Sequence, residues 1–460
     1  MGAMFRRSTE SAVPAHVSHR IAGNAFLASA ALGALNTANA QKPLARNGSG
    51  GVLAFATGSP TSELPLHALG WQALATLGFA RRGALRTPAG ILGLGVSAVS
   101  WLTLVRMWRE SLRAGEVLEE ALREGLGDDL EHAHHPMPPN FAAPTVRRRL
   151  VRGPAGLNET RARYVAPNAC DLSYGDAGPR NHLDIWKRPD LPLDGKAPVL
   201  VQVHGGAWVI GNKQQQAMPL LAHMAERGWV GVSINYRLSP RATWPDHIVD
   251  VKRALAWVKA NIAGYGGDPE FVAITGGSAG GHLSSLAALS ANEPEFQPGF
   301  EEADTSVVAA VPFYGVYDWT NRDGTGRADM EPMLARFVMK SRMADARDVW
   351  EFASTMTWVR PDAPPFMIIH GTNDTLVPVE QARAFAAMLR AESKKPVVYA
   401  ELPGAQHAFE LFDSPRTLFT LDAVDRFLES VRVEEGHLTR AEEAGFQGPE
   451  VAPLTEATAG

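Results

Sequence analysis

The sequence predicts an α/β architecture: a mostly parallel eight-stranded sheet flanked by helices, preceded by an apolar helical hairpin. Three observations carry this. From about residue 160 onward, short apolar runs alternate with helical stretches. A turn of small residues, Gly276-Gly277-Ser278-Ala279-Gly280, joins one such run to a helix. Two uncharged apolar segments, 64–80 and 89–105, stand before the alternating part. In order, residues 161–166 and 183–187 read as early strands, 198–203 (PVLVQV) as a buried strand, and 230–236 (VGVSINY) as the next. A helix over 248–262 follows, then the strand 271–275 (FVAIT) and a helix over 280–290. Residues 307–313, 366–370 and 397–402 read as three more strands, and 381–391 and 416–433 as helices. Strand and helix in alternation imply βαβ units and a sheet covered on both faces. This domain spans 160–433.

The chain before it reads differently. Residues 1–63 are rich in Ala, Gly and Ser and read as a poorly ordered leader; an apolar stretch over 21–35 followed by Ala38-Asn39-Ala40 has the pattern of a weak secretory signal. The segments 64–80 and 89–105 are each just long enough to cross about 30 Å of hydrocarbon and predict a membrane hairpin within a membrane-associated region, 64–125. Trp71 and Trp101 suit an interfacial belt. Arginines lie both between the segments (Arg81, Arg82, Arg86) and after them (Arg106, Arg109, Arg113, Arg123), so charge does not orient the hairpin. Residues 107–125 alternate in charge and read as a solvated helix. A proline-rich linker, 126–159, and an acidic disordered tail, 434–460, complete the chain. The linker predicts that residues from about 150 onward fold and work without the hairpin.

Composition narrows the function. The chain has 460 residues, 45% of them hydrophobic, and a net charge of −5. That excludes a wholly disordered chain and gives no basic face for nucleic acid. Cys170 is the one cysteine, so neither an intrachain disulfide nor a thiolate-rich zinc site can form. His132, His134 and His135 have no partnering ligands in view, and no metal or cofactor is expected.

The chemistry sits in four loops. Gly276–Gly280 matches G-x-S-x-G between strand and helix, the context in which Ser278 becomes an exposed nucleophile at a strained turn. His204-Gly205-Gly206-Ala207-Trp208 follows the strand PVLVQV, where glycines let backbone N–H groups approach an oxyanion. His204 precedes the serine, the wrong order for the base of this fold, and reads as a loop brace. Asp374 (in HGTND) and His407 (in GAQHAF) each follow a strand and complete the order Ser, Asp, His. Asp318 is the rival acid. Trp208, Phe313, Tyr314, Tyr317 and Trp319 are candidates for an acyl pocket.

Together HGGAW, NYRLSP, GGSAGG, HGTND and GAQHAF resemble the hormone-sensitive-lipase-like carboxylesterases of the α/β-hydrolase superfamily, with the membrane-associated actinobacterial esterases most similar through 61–85. The resemblance covers residues 60–433. It implies a serine esterase or lipase acting on short- to medium-chain acyl esters, with no cofactor. It implies Ser278, Asp374 and His407 as a triad, N–H groups of Gly206, Ala207 and Ala279 as the oxyanion hole, and Gly205 shaping that loop. It also implies an enzyme held at a bacterial membrane or envelope through lipid contacts of 64–105. Two departures stand out: Ala207 replaces the third glycine of HGGG, and Gly277 stands where many relatives have Asp or Glu. Both occur in feruloyl-esterase-like and formamidase-like branches, which keeps a feruloyl-type esterase and an arylformamidase-type amide hydrolase open. A non-catalytic binding protein is the alternative from another class.

Overall fold

The computed structural model describes residues 15–127, 144–152, 157–193 and 196–436. Its centre is one eight-stranded sheet, β1 (Leu172–Ser173), β2 (His182–Trp186), β3 (Ala197–Val203), β4 (Val230–Ile234), β5 (Gly267–Gly277), β6 (Ala309–Phe313), β7 (Phe366–Gly371) and β8 (Val397–Leu402), in the order β1-β2-β4-β3-β5-β6-β7-β8. β1 and β2 run antiparallel at one edge, and β3 to β8 are parallel. Every residue of β3, β4, β6 and β7 is buried. These strands therefore read as continuous apolar runs, as two covered faces require.

Fourteen helices are described: α1 (Ala15–Gln41), α2 (Gly48–Glu63), α3 (Pro65–Arg81), α4 (Pro88–Leu112), α5 (Ala114–Leu126), α6 (Pro144–Arg152), α7 (Leu157–Tyr164), α8 (Met218–Glu226), α9 (Asp246–Asn261), α10 (Ala279–Leu289), α11 (Met330–Leu334), α12 (Arg347–Ala353), α13 (Val379–Glu392) and α14 (Pro415–Glu434). Successive strand residues point to opposite faces. Val199, Val201 and Val203 meet α9, α10 and α13 through Val251, Leu283 and Phe385 on one side. Leu200, Ala273, Val311 and Ile369 meet α5, α8 and α14 through Leu122, Met224 and Leu428 on the other.

Three expectations give way. Residues 161–166 lie at the end of α7 and beyond it, and β1 takes the edge position expected of them. Tyr164 and Val165 are buried against Trp186 and α8, so their apolar character serves helix packing. The charged stretch after the second apolar segment contains α5, which buries Ala114, Leu118, Ala121, Leu122 and Leu126 in the sheet's second core. It belongs to the hydrolase layer, and a boundary near residue 150 cuts that layer. Within 1–63, residues 15–41 and 48–63 form α1 and α2 rather than a loose leader. Helix α1 packs along α4, with Thr37 Oγ1 and Ser100 Oγ sharing a buried hydrogen bond of 2.8 Å. Small residues allow this close approach: a Cβ on Gly93 would come within 3.1 Å of the Phe26 ring. α1 and α4 are the described helices long and apolar enough to cross a membrane; α3 is shorter. Large parts of the proline-rich linker (128–143 and 153–156), including His132, His134 and His135, and the acidic tail from 437 lie outside the described residues.

Candidate active site

Four loops at the carboxyl ends of β3, β5, β7 and β8 supply the candidate residues, the edge where open α/β sheets place their sites. Ser278 sits between β5 and α10 with φ 59° and ψ −120°. A left-handed serine is strained, by about 1–3 kcal/mol, and is held here by its N–H, which donates to the Phe313 carbonyl at 3.0 Å. The glycines on either side follow from contact. A Cβ on Gly280 would lie 2.0 Å from the Val203 carbonyl oxygen, and one on Gly276 2.4 Å from that of Gly280.

The departure at Gly277 has a cause in space. A Cβ there would meet the Tyr314 hydroxyl at 2.6 Å, so an acidic side chain would have to displace the Tyr314 ring. The HGGA loop lies directly on the elbow: a Cβ on Gly205 would fall 3.1 Å from Ser278 Cβ. Gly205 N–H donates to Gln216 Oε1 at 2.6 Å, which braces the loop. Gly206 and Ala207 adopt φ 118° and 52°, turning the backbone there sharply. His204 is a brace as well: it stacks on Tyr236 at 4.3 Å, and burial lowers its pKa to about 4, so it is neutral near pH 7.

Asp374 and His407 come together. His407 Nδ1 lies 2.6 Å from Asp374 Oδ2, with both side chains buried. Asp374 Oδ1 accepts from the N–H groups of Leu376 and Val377, each at 2.8 Å. His370 Nε2 approaches Oδ2 at 3.2 Å. Burial alone would raise the Asp374 pKa, but His407 and His370 outweigh it and hold the carboxyl well below the usual range. Asp318, the rival acid, is instead engaged by Thr320 and Arg322. His282 is buried between Trp208 and the Ala353 carbonyl, and burial lowers its pKa to about 3. Of the pocket candidates, Tyr314 lies against His407, ring centroids 4.4 Å apart, while Trp208 and Trp319 pack with His282 in a buried aromatic cluster.

Several contacts at the site come from residues the sequence reading passed over. Gln406 Oε1 accepts from Thr375 N–H and His407 N–H at 2.8 and 2.9 Å, joining the acid and histidine loops. The N-terminal helices also reach in. Thr375 Oγ1 donates to the Gly51 carbonyl at 2.9 Å, and Asn373 Nδ2 donates to the Gln41 carbonyl at 2.9 Å. Phe55 of α2 meets His407 edge to face at 5.9 Å. Elsewhere, Cys170, Asp171 and Asp184 lie close enough to share an ion, but Lys213 and Arg161 already neutralise the two carboxylates.

The family description BD-FAE matches residues 183–389. The chain is 51% identical to LipM of Mycobacterium tuberculosis, named a probable carboxylic ester hydrolase, over 87% of this chain and 92% of that one. It is 50% identical to the esterase LipQ of the same organism, over 69% and 74%. Among solved structures, a thermophilic esterase from the Planctomycetes species Thermogutta terrifontis, with butyrate bound, superposes with a TM-score of 0.50 at 27% identity, over 59% of this chain and 96% of that one. With the parallel sheet, the serine elbow and the Asp374–His407 pair already in place, these relatives put the chain in the α/β-hydrolase-fold carboxylic ester hydrolases, in the hormone-sensitive-lipase-like group that holds the mycobacterial esterases LipM and LipQ.

Proposed function

We propose that the enzyme hydrolyses short- to medium-chain acyl esters through a Ser278-His407-Asp374 triad. Ser278 Oγ attacks the ester carbonyl while His407 takes its proton. The N–H groups of Gly206, Ala207 and Ala279 receive the oxyanion on a loop shaped by Gly205. His407 then protonates the leaving alcohol, and a water that it activates releases the acid from Ser278. Asp374 orients the imidazole and stabilises its charge. The reading rests on one observation above all: the hydrogen bond of 2.6 Å between His407 and Asp374, on loops neighbouring a serine with φ 59°. Butyrate in the Thermogutta esterase supports the chain-length reading.

The same reading places the enzyme at a membrane through α1–α4. Leu32, Trp71 and Leu102 are 68%, 73% and 73% exposed, on three different helices. So large an apolar surface is unfavourable in water and fits lipid. Ser278→Ala tests the chemistry. Ester turnover falls by about 10⁴–10⁶-fold and labelling by a fluorophosphonate probe disappears, with the fold unchanged by circular dichroism. Retention of more than about a percent of activity rejects the triad.

A further inference from the structure

Beside His407 lies a second polar pair. Tyr314 follows β6, and its ring is tilted 53° to the imidazole with centroids 4.4 Å apart. Its hydroxyl donates to Glu410 Oε1. Glu410 is buried, and its other oxygen, Oε2, makes no hydrogen bond among the described residues. A carboxylate so placed has an unfavourable environment unless a positive charge comes near it. Among the described residues Tyr314 is the one side chain that hydrogen-bonds Glu410, and Tyr314 itself occupies the space that Gly277 leaves free.

We propose that Tyr314 and Glu410 are positioning residues that form a second anchor for His407, holding the ring and stabilising the imidazolium when it takes the Ser278 proton. This rests on the triad reading above. The physical argument has two parts. A cation over an aromatic ring is attracted by the ring's quadrupole, the more so when water is excluded. A phenol that donates to a carboxylate is more electron-rich, so Glu410 strengthens that attraction and adds its own negative charge at short range. Burial raises the Glu410 pKa, while Tyr314 and His407 oppose that rise.

Other charged groups surround the loops that carry Asp374 and His407, with Glu110 and Arg416 beside Gly404. Asp374 and His370 lie on the β7 side. Glu63 of α2 is paired with Arg416 of α14. Arg46 contacts the acid loop through the Thr372 carbonyl and the Asn373 side chain. Phe55 meets the imidazole edge to face with an uncharged ring. Among the described residues, the one side chain that hydrogen-bonds Glu410 is uncharged Tyr314.

The test is the pH profile of kcat/KM for a soluble p-nitrophenyl butyrate assay, on full-length enzyme in detergent, normalised to active sites by fluorophosphonate titration. Glu410→Gln keeps an acceptor for Tyr314 and removes the charge. Its acid limb moves to lower pH by about one unit, since the imidazolium loses a stabilising charge, and plateau kcat falls about tenfold. Tyr314→Phe moves the limb the same way by less, and Glu410→Asp restores it in part. A packing role alone lowers thermal stability and leaves the limb in place. An unmoved limb in the titrated Glu410→Gln enzyme overturns the proposal, as does an unmoved limb in Tyr314→Phe should Glu410→Gln fail to fold. If Ser278→Ala stays active, the triad reading itself has failed, which is a separate result.

Discussion

Glu63, the last residue of α2, and Arg416, in the first turn of α14, form an ion pair of 3.0 Å with their side chains 0% and 1% exposed. Ser414 Oγ donates to the other Glu63 oxygen at 3.0 Å, and Arg416 also donates to the Ser62 and Pro403 carbonyls. The N-terminal helices are therefore latched to the hydrolase domain by desolvated charges, beside the loop that carries His407.

Removing one partner leaves the other charged and buried. Glu63→Ala should destabilise the enzyme by about 3–5 kcal/mol, while Glu63→Leu with Arg416→Met should recover most of that loss. Denaturant melts of the three proteins check this; equal stability of Glu63→Ala and wild type refutes the latch.

A chain beginning near residue 150 should aggregate or be inactive, contrary to what the proline-rich linker suggests. It lacks α5, whose Leu118, Leu122 and Leu126 fill the second core, and it lacks the Gly51 and Gln41 carbonyls that hold the acid loop. Size-exclusion chromatography and esterase activity of the short chain against the full chain decide this. A monodisperse short chain of full activity contradicts it.

Gly277→Asp, which restores the acidic residue many relatives carry, should cost activity here because Tyr314 occupies the space. Overpacking of this kind costs about 1–3 kcal/mol. Gly277→Asp should destabilise the Tyr314→Ala enzyme less than it destabilises the wild type. The interaction energy from a double-mutant cycle measures it, and simple additivity of the two changes would dismiss the clash.

Lys252, on α9, donates through Nζ to the Ala287 carbonyl at 3.0 Å, to the Ser290 carbonyl at 2.5 Å and to Thr305 Oγ1 at 3.3 Å. Burial lowers its pKa from 10.5 to about 7. Between these values the unfolded chain binds more protons than the folded one, so this residue makes unfolding free energy rise with pH, by at most about 1.4 kcal/mol per unit. Lys252→Met should flatten that rise between pH 7 and 10. Parallel slopes for the two proteins in urea melts across this range would show that Lys252 contributes none of it.

The parallel strands were legible because strands buried on both faces are unbroken apolar runs, and the elbow because Ser278 tolerates only small neighbours. Asp374 and His407 followed from their order and from the strands before them. What escaped was hidden by composition. α5 carries Glu116, Glu119, Glu120 and Arg123 on its wet side, and those charges mask the apolar stripe of Leu118, Ala121, Leu122 and Leu126. α1 and α2 pack through Gly, Ala, Ser and Thr, which signal no apolar face although they permit the closest contacts. Glu63 and Glu410 are single acids whose burial depends on partners far along the chain, and no local pattern announces them.

The hydrogen bonds that join the N-terminal helices to the acid loop span long stretches of chain: Gln41 to Asn373 across 332 residues and Gly51 to Thr375 across 324. At a synthesis rate of about 5–20 residues per second, the helices leave the ribosome roughly 15–70 s before their partners exist. During that interval both their outer apolar face and their inner docking face lack cover from the hydrolase domain. The docking face must wait for the loops after β7 and β8. The acid loop therefore gains these contacts late in synthesis, once the loop after β7 reaches the waiting helices, so the site cannot be whole before then.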